Sequence, residues 1–186
     1  MATSIQLAAQ VPVLETERLR LRGHGVADFE ACRSMWADPI VTRFIGGRPF
    51  TGEEAWSRLL RYVGHWALLG FGYWVVEEKA TGGFIGEVGF ADYRREMTGV
   101  MGEGPEIGWV FVPEAHGRGY ATEAVGAVVT WGDERFEGAP THCIINPENR
   151  GSIRVAEKCG YRELGRTVYH GAPTLVFVRK LNRRKA

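Results

Sequence analysis

Cysteine is scarce in the 186 residues: Cys32, Cys143 and Cys159 are the only three, and none stands in a C-x-x-C pair. An odd number with no secretory pattern reads as free thiols and predicts a reducing compartment, the cytoplasm. The opening MATSIQLAAQ lacks a basic n-region and a long apolar run. No later stretch approaches the roughly 18 uncharged apolar residues of a spanning helix, so neither secretion nor a membrane span is expected. Charge of one sign is missing too, since Lys+Arg 23 stand against Asp+Glu 22 for a net +1. No summed field then draws nucleic acid or an anionic membrane, and any charge recognition must be local. His24, His65, His116, His142 and His170 show neither H-E-x-x-H nor Cys/His metal spacing, so no metal is expected. G-x-S-x-G, G-x-G-x-x-G and the P-loop pattern are also absent, which withholds the marks of a nucleophile elbow, a dinucleotide fold and a P-loop nucleotidase. There is no internal repeat and no linker.

What is present suits one globular domain: 45% of residues are hydrophobic and 24% charged. The expected layout is a loose tail over 1–12, a single domain over 13–180 and a basic tail over 181–186. Residues 14–22 alternate Leu19 and Leu21 with Arg18, Arg20 and Arg22, as a half-buried strand would, and 27–36 read as a helix. DPIVTRFIGG, 38–47, breaks at a proline and two glycines. Thr51-x-x-Glu54 is a capping box for a helix with Ala55, Leu59, Leu60, Val63 and Ala67 inward, ended by Gly70. Strands over 71–77 and 84–90, joined by EKATGG, should pair antiparallel. Residues 92–105 read as an irregular loop long enough to shape a site. A strand over 106–112, a helix from about Ala121, a strand over 142–145, a helix over 149–159 begun by Asn149, and a last strand over 175–179 follow.

The stretch HGRGYATEA, 116–124, sets two glycines around an arginine where that second-last helix begins. Free N–H groups at a helix start favour an anion, and Gly117 and Gly119 let backbone approach it without a Cβ in the way. A pyrophosphate fits. The competing reading, that the glycines only allow a tight turn and close helix packing, stays open, and Arg118 is either an added cation or a solvated side chain.

EIGWVFVPEAHGRGYATEA followed by NPENRGSIRVAEKCGY resembles the acetyl-CoA-binding core of the GNAT N-acetyltransferase superfamily, particularly its branch that acetylates ribosomal-protein N-termini. The resemblance extends over nearly all of 13–180. It implies an α+β fold in α/β/α layers: a mixed, mostly antiparallel twisted sheet with a splayed parallel strand pair, flanked by helices. The family's [QR]-x-x-G-x-[GA] turn falls on Gly117, Arg118, Gly119, Tyr120 and Ala121, with His116 where Arg or Gln is usual. The resemblance implies acetyl-CoA as co-substrate and an amine acceptor, either a protein N-terminus or a small molecule, and leaves a homodimer open. By the same resemblance the strand 106–112 splays from 142–145, and the pantetheine arm lies between them on backbone groups of Trp109, Phe111 and Val112. An N–H of Trp109 or Val110 would hold the oxyanion.

Amine attack on a thioester needs a neutral amine, a stabilised carbonyl oxygen and a proton for the leaving thiolate. Glu106 should point with Gly108 and Val110 away from Ile107, Trp109 and Phe111, and is the first candidate base; Glu87 in IGEVG is the second. Ser152 matches the branch's residue near the sulfur, and Asn149 its coenzyme or water contact. The tyrosine many members carry seven positions after that asparagine is replaced by Ala156. Trp36, Arg43, Phe44 and Tyr93 fall in loops that, by resemblance, flank the acceptor groove. Cys143 reads as a small hydrophobe. The alternative function is a coenzyme-binding sensor or interaction module with this fold and no turnover.

Overall fold

The computed structural model describes residues 11–100 and 102–180, so the basic tail and most of the N-terminal one lie outside the described residues. The alternating stretch 14–22 is two strands, β1 (Leu14–Glu15) and β2 (Leu19–Arg22), folded back so that Leu14 opposes Leu21. Thr16 closes the turn: its N–H donates to the Leu19 carbonyl at 3.0 Å and its hydroxyl accepts from the Leu19 N–H at 3.0 Å. A hydroxyl that satisfies backbone locally competes with a continuous strand, which the alternation alone does not show.

A 3-10 turn leads into helix α1 (Phe29–Trp36). The next stretch was expected to be a break but contains a short helix, α2 (Pro39–Thr42), with proline where a missing N–H costs nothing and Asp38 accepting from Ile40 N–H at 2.7 Å. Helix α3 (Gly52–Leu69) carries the expected capping box, and Gly70 ends it at φ 69°. Its buried face differs from expectation. Ala55 and Leu59 are inside, but so are Tyr62 and Trp66, whereas Leu60 and Val63 are 50% and 44% exposed and Ala67 also faces out. The stripe 55-59-62-66 wins because it buries aromatic rings, Tyr62 stacking on Tyr73 at 4.2 Å and Trp66 meeting Trp74 edge-on at 4.7 Å.

Strands β3 (Tyr73–Glu78) and β4 (Gly83–Ala91) form the expected antiparallel hairpin, with a bulge at Val76/Glu77. The loop 92–105 contains a short strand, β5 (Thr98–Gly99). Then come β6 (Glu106–Phe111), α4 (Tyr120–Arg135), β7 (Thr141–Ile145), α5 (Arg150–Lys158), β8 (Arg162–Tyr169) and β9 (Ala172–Arg179). β8 was not anticipated. Leu164 and Val168 are 49% and 57% exposed in it, so it shows no apolar alternation to read.

Among the described residues the sheet order is β1-β2-β3-β4-β6-β7-β9-β8-β5. Every pairing is antiparallel except β6 with β7, which meet only at Glu106 and His142 before diverging. The crossover between them is α4, whose Ala124, Val125 and Val128 pack with Ile107 and Phe111 in the main core. α1 and α3 cover the other face, where Cys32, Trp36, Ala55 and Leu59 pack with Val110. The result is the expected α/β/α layering, open on one line between β6 and β7. Cys32 and Cys143 are buried, Cys159 is half-buried, and all three are free thiols. No helix among the described residues is long and apolar enough to cross a membrane.

Candidate active site

The N–H of Val112 donates to the Ile85 carbonyl at 3.0 Å, on the β4 side. Since backbone groups alternate along a strand, Gly108 and Val110 also face β4, while Ile107, Trp109 and Phe111 turn their amides toward β7. On that side Pro105 still accepts from His142 N–H at 3.2 Å, and beyond it the ladder stops. The gap is therefore lined by main-chain groups of Trp109 and Phe111. This corrects two expectations: Val110 and Val112 direct their amides into the sheet, so their backbone is not available in the gap. The Phe111 carbonyl is also taken, accepting from His116 Nε2 at 3.0 Å. His116 thus braces the strand end against the turn that follows it.

That turn leaves the sheet through a 3-10 turn, Pro113–Ala115, and places Gly117 at φ 74° and Gly119 at φ 82°, conformations that L side chains rarely adopt. Packing does not demand these glycines. A Cβ at Gly117 would meet nothing within 4 Å, and one at Gly119 only Arg18 Nη2 at 3.5 Å. Gly119 caps α4 without any side-chain hydrogen bond, so no capping side chain satisfies the first amides of the helix, from Tyr120 and Ala121 onward. The Tyr120 side chain is engaged elsewhere. It is buried, its hydroxyl donates to Glu78, and the Arg18 and Arg118 guanidiniums lie over its ring at 4.5 and 4.7 Å. Arg118 itself pairs with Glu78 at 3.0 Å and is half-exposed beside the turn.

At the start of α5, Asn149 Oδ1 accepts from Ser152 N–H at 3.1 Å, a helix cap that also aims the segment at the gap. Asn149 and Ser152 both line a cavity of about 650 Å³ that opens between β6 and β7 and continues under α1 and α3. Ala156 is fully buried in the core.

Glu106 is the single carboxylate among the described residues lining this cavity. It faces as expected, with Gly108 and Val110, and is 7% exposed. Both its oxygens accept from Arg95, Nε at 2.6 Å and Nη2 at 2.7 Å, and Arg95 Nη1 donates onward to Tyr169 Oη at 2.7 Å. Glu87 is placed differently. It is 1% exposed and accepts from Trp36 Nε1 at 2.9 Å and Cys32 Sγ at 3.2 Å, with His24 Nε2 at 3.0 Å, and it does not line the cavity. His24, Cys32 and Glu87 thus gather within 4.8 Å of one another although no sequence spacing announces them. Burial, followed by the Glu87 carboxylate, pushes the Cys32 thiol up, so it stays a proton donor. Cys143 lines the cavity but burial raises its thiol well above the usual range, which leaves little thiolate for covalent chemistry.

Residues 18–162 match the family model described as an acetyltransferase (GNAT) domain. The chain belongs to the GNAT acetyltransferase family. It is 33% identical over 155 residues to an uncharacterised N-acetyltransferase of Bacillus subtilis, YnaD, covering 82% of this chain and 84% of that one. It is 35% identical over 111 residues to the uncharacterised protein YkkB of the same organism, but there the match spans 60% of this chain and only 62% of the relative. A GNAT-family acetyltransferase structure from Bordetella pertussis superposes with a TM-score of 0.79 at 29% identity, covering 90% of this chain and 99% of that chain. Spermidine N-acetyltransferase from Vibrio cholerae, solved with CoA and spermine, shares the fold at 17% identity and a TM-score of 0.70, over 89% of this chain and 96% of that one.

Within this GNAT domain Trp109, Asn149, Ser152 and Glu106 line one cavity, Phe111 ends the strand that forms its edge and Gly117 and Gly119 follow in the next turn, and Glu87 stands apart from it. Of the residues singled out for the acceptor side, Arg43, Phe44 and Tyr93 lie in connecting segments as expected, whereas Trp36 is the last residue of α1, and all four line the cavity. Sequence reasoning missed Arg58, Arg61, Tyr62, Tyr73, Arg95 and Tyr169, which line it as well. One signal was present: Arg58 falls on the inward side of α3, between Ala55 and Tyr62, and a cation on such a face invites a reason. Burial pushes the Tyr62, Tyr73 and Tyr93 phenols up, so all three are hydrogen-bond donors at neutral pH.

Proposed function

We propose that the protein transfers the acetyl group of acetyl-CoA to a primary amine bound in this groove. One observation carries the reading: unpaired main-chain amides on the open side of β6 run on into a glycine-opened helix start that no side chain caps and no Cβ fills. Such amides suit an amide-rich arm followed by a pyrophosphate. Gly117, Arg118, Gly119, and the backbones of Tyr120 and Ala121, would hold the phosphates, with Trp109 and Phe111 along the arm and Asn149 beside it. Acetyl-CoA supplies an acyl group already activated as a thioester.

The chain's own residues then have three tasks. The Trp109 N–H, facing the gap, is the donor for the carbonyl oxygen as it gains charge; Val110 cannot serve, since its amide faces β4. Glu106 draws the proton from the amine, directly or through water, using a carboxylate lone pair that Arg95 leaves free. Ser152 stands on the first turn of α5 to return a proton to the departing sulfur. Holding both reactants in one groove supplies the larger share, roughly 7 to 11 kcal/mol against about 10²- to 10⁴-fold for proton transfer.

The test is a free-thiol release assay with acetyl-CoA and a panel of amines and peptides, alongside calorimetry with acetyl-CoA. Binding with turnover upholds the proposal. Binding without turnover on any acceptor makes the protein a coenzyme-binding module, and absence of binding defeats both.

A further inference from the structure

The acceptor end of the groove holds charge that the chain does not balance. Arg58 rises from α3 into the cavity with its guanidinium 4.0 Å over the Trp36 ring and 5.0 Å over Phe50. Among the described residues its one polar partner is Tyr62 Oη, 3.2 Å from Nη1, and its Nε is buried with no partner. The other partly buried arginines are treated differently: Arg22 holds Asp28 and Glu77, Arg95 holds Glu106, and Arg179 holds Asp133. No carboxylate among the described residues lies within ion-pair distance of Arg58. Among the described residues Arg43 and Arg61 also line the cavity with no ion pair, and the only acidic group there, Glu106, is already matched by Arg95. A guanidinium desolvated against two rings that stack on each other, lining a cavity with no counter-charge beside it, is costly unless a ligand brings the missing anion.

We infer that the acceptor is a small amine that also carries a carboxylate, with an apolar body, and that Arg58 receives the carboxylate while the amine lies toward Glu106. This rests on the acetyltransferase reading and narrows its substrate class to that of an amino acid. The cavity, about 650 Å³, is of the size that encloses small molecules, and its aromatic walls, Trp36, Phe44, Phe50 and Tyr93, suit an apolar side chain. A polyamine would enter against several unpaired guanidiniums.

The experiment compares matched acceptors in the thiol-release assay: phenylalanine against phenylethylamine, tryptophan against tryptamine, with spermidine and an N-terminal acidic peptide as further arms. The carboxylate-bearing member of each pair should have kcat/KM higher by about tenfold or more. Arg58→Met, which keeps the stem over Trp36, should erase that preference through KM. Arg58→Lys, which keeps the charge but loses the fork, should retain part of it, with acetyl-CoA affinity and circular dichroism as folding controls. Phenylethylamine, tryptamine or spermidine used as well as the amino acids would overturn the inference and leave the acetyltransferase reading standing. A clear preference for the acidic peptide would overturn the small-molecule assignment. If no acceptor turns over, calorimetry with N-acetylphenylalanine decides: binding that Arg58→Met abolishes upholds the anion site, and no binding to the wild-type protein overturns it.

Discussion

At one end of the proposed site the groups offered to a ligand are main-chain amides from a single stretch, 106–121. At the other they are side chains gathered from α1, α3, the stretch after β4 and the turn between β8 and β9. The first end needs little beyond two residues free to take positive φ and a strand pair that stops pairing. The second needs partners far apart in the chain, such as Arg95 with Tyr169, 74 positions apart, and Trp36 with Glu87, 51 positions apart. A backbone site tolerates side-chain change and keeps one ligand chemistry. A side-chain site can be retuned one residue at a time, which suits the end where acceptors differ.

The sharpest way to break this comparison is to put a side chain where the backbone site has none. Gly119→Val forces a β-branched residue to φ 82° and fills the space beside the helix start. Calorimetry should show acetyl-CoA affinity lost by about 100-fold or more, with a fold destabilised by only about 1–2 kcal/mol. Unchanged affinity would mean that the turn is structural and holds no phosphate. Next in size is Glu106→Gln. As the proposed base it should lower kcat by about 10²- to 10⁴-fold and remove the limb of the pH–rate profile that reports its ionisation. A full rate with an unshifted profile would leave Glu106 as no more than the anchor of Arg95.

The same contrast explains what could be read from the chain. The Thr51/Glu54 capping box, the Asn149 cap and the glycine turn are each encoded within four residues, and all three stand where expected. The direction of Glu106 followed from strand alternation alone. The break of 14–22 at Thr16 and the largely exposed strand β8 escaped because a local hydroxyl contact and a polar surface leave no periodic signature. The buried face of α3 was misplaced because ring stacking across to β3 outweighed the aliphatic pattern. Arg95 meets Glu106 only because the loop after β4 folds back along the sheet, and no spacing rule states that.

Glu87→Gln tests whether the buried carboxylate belongs to the acceptor end or only supports it. The amide would turn donors toward the Trp36, Cys32 and His24 groups that now donate to Glu87. Thermal or denaturant unfolding should register a loss of about 1–3 kcal/mol, while kcat on the best acceptor holds. A large fall in kcat with stability intact would instead return Glu87 to candidacy as the base and shift the reaction away from the groove that Glu106 lines.

Ser152→Ala should have the smallest effect. The contact that organises this corner uses the Ser152 backbone N–H on Asn149 Oδ1 at 3.1 Å, and alanine keeps it, so the helix start and the cavity wall remain in place. Only the hydroxyl goes. A thiolate leaves more readily than an alkoxide and depends less on a proton, so kcat should drop by about tenfold or less, below the typical range for proton-transfer help. Asn149→Ala is the complementary change: it removes the cap, at about 1 kcal/mol of stability, and leaves the serine hydroxyl on a loosened first turn. If Ser152→Ala slows turnover as much as Glu106→Gln does, proton delivery to sulfur rather than proton removal from the amine limits the reaction. A solvent isotope effect on each variant separates those two cases.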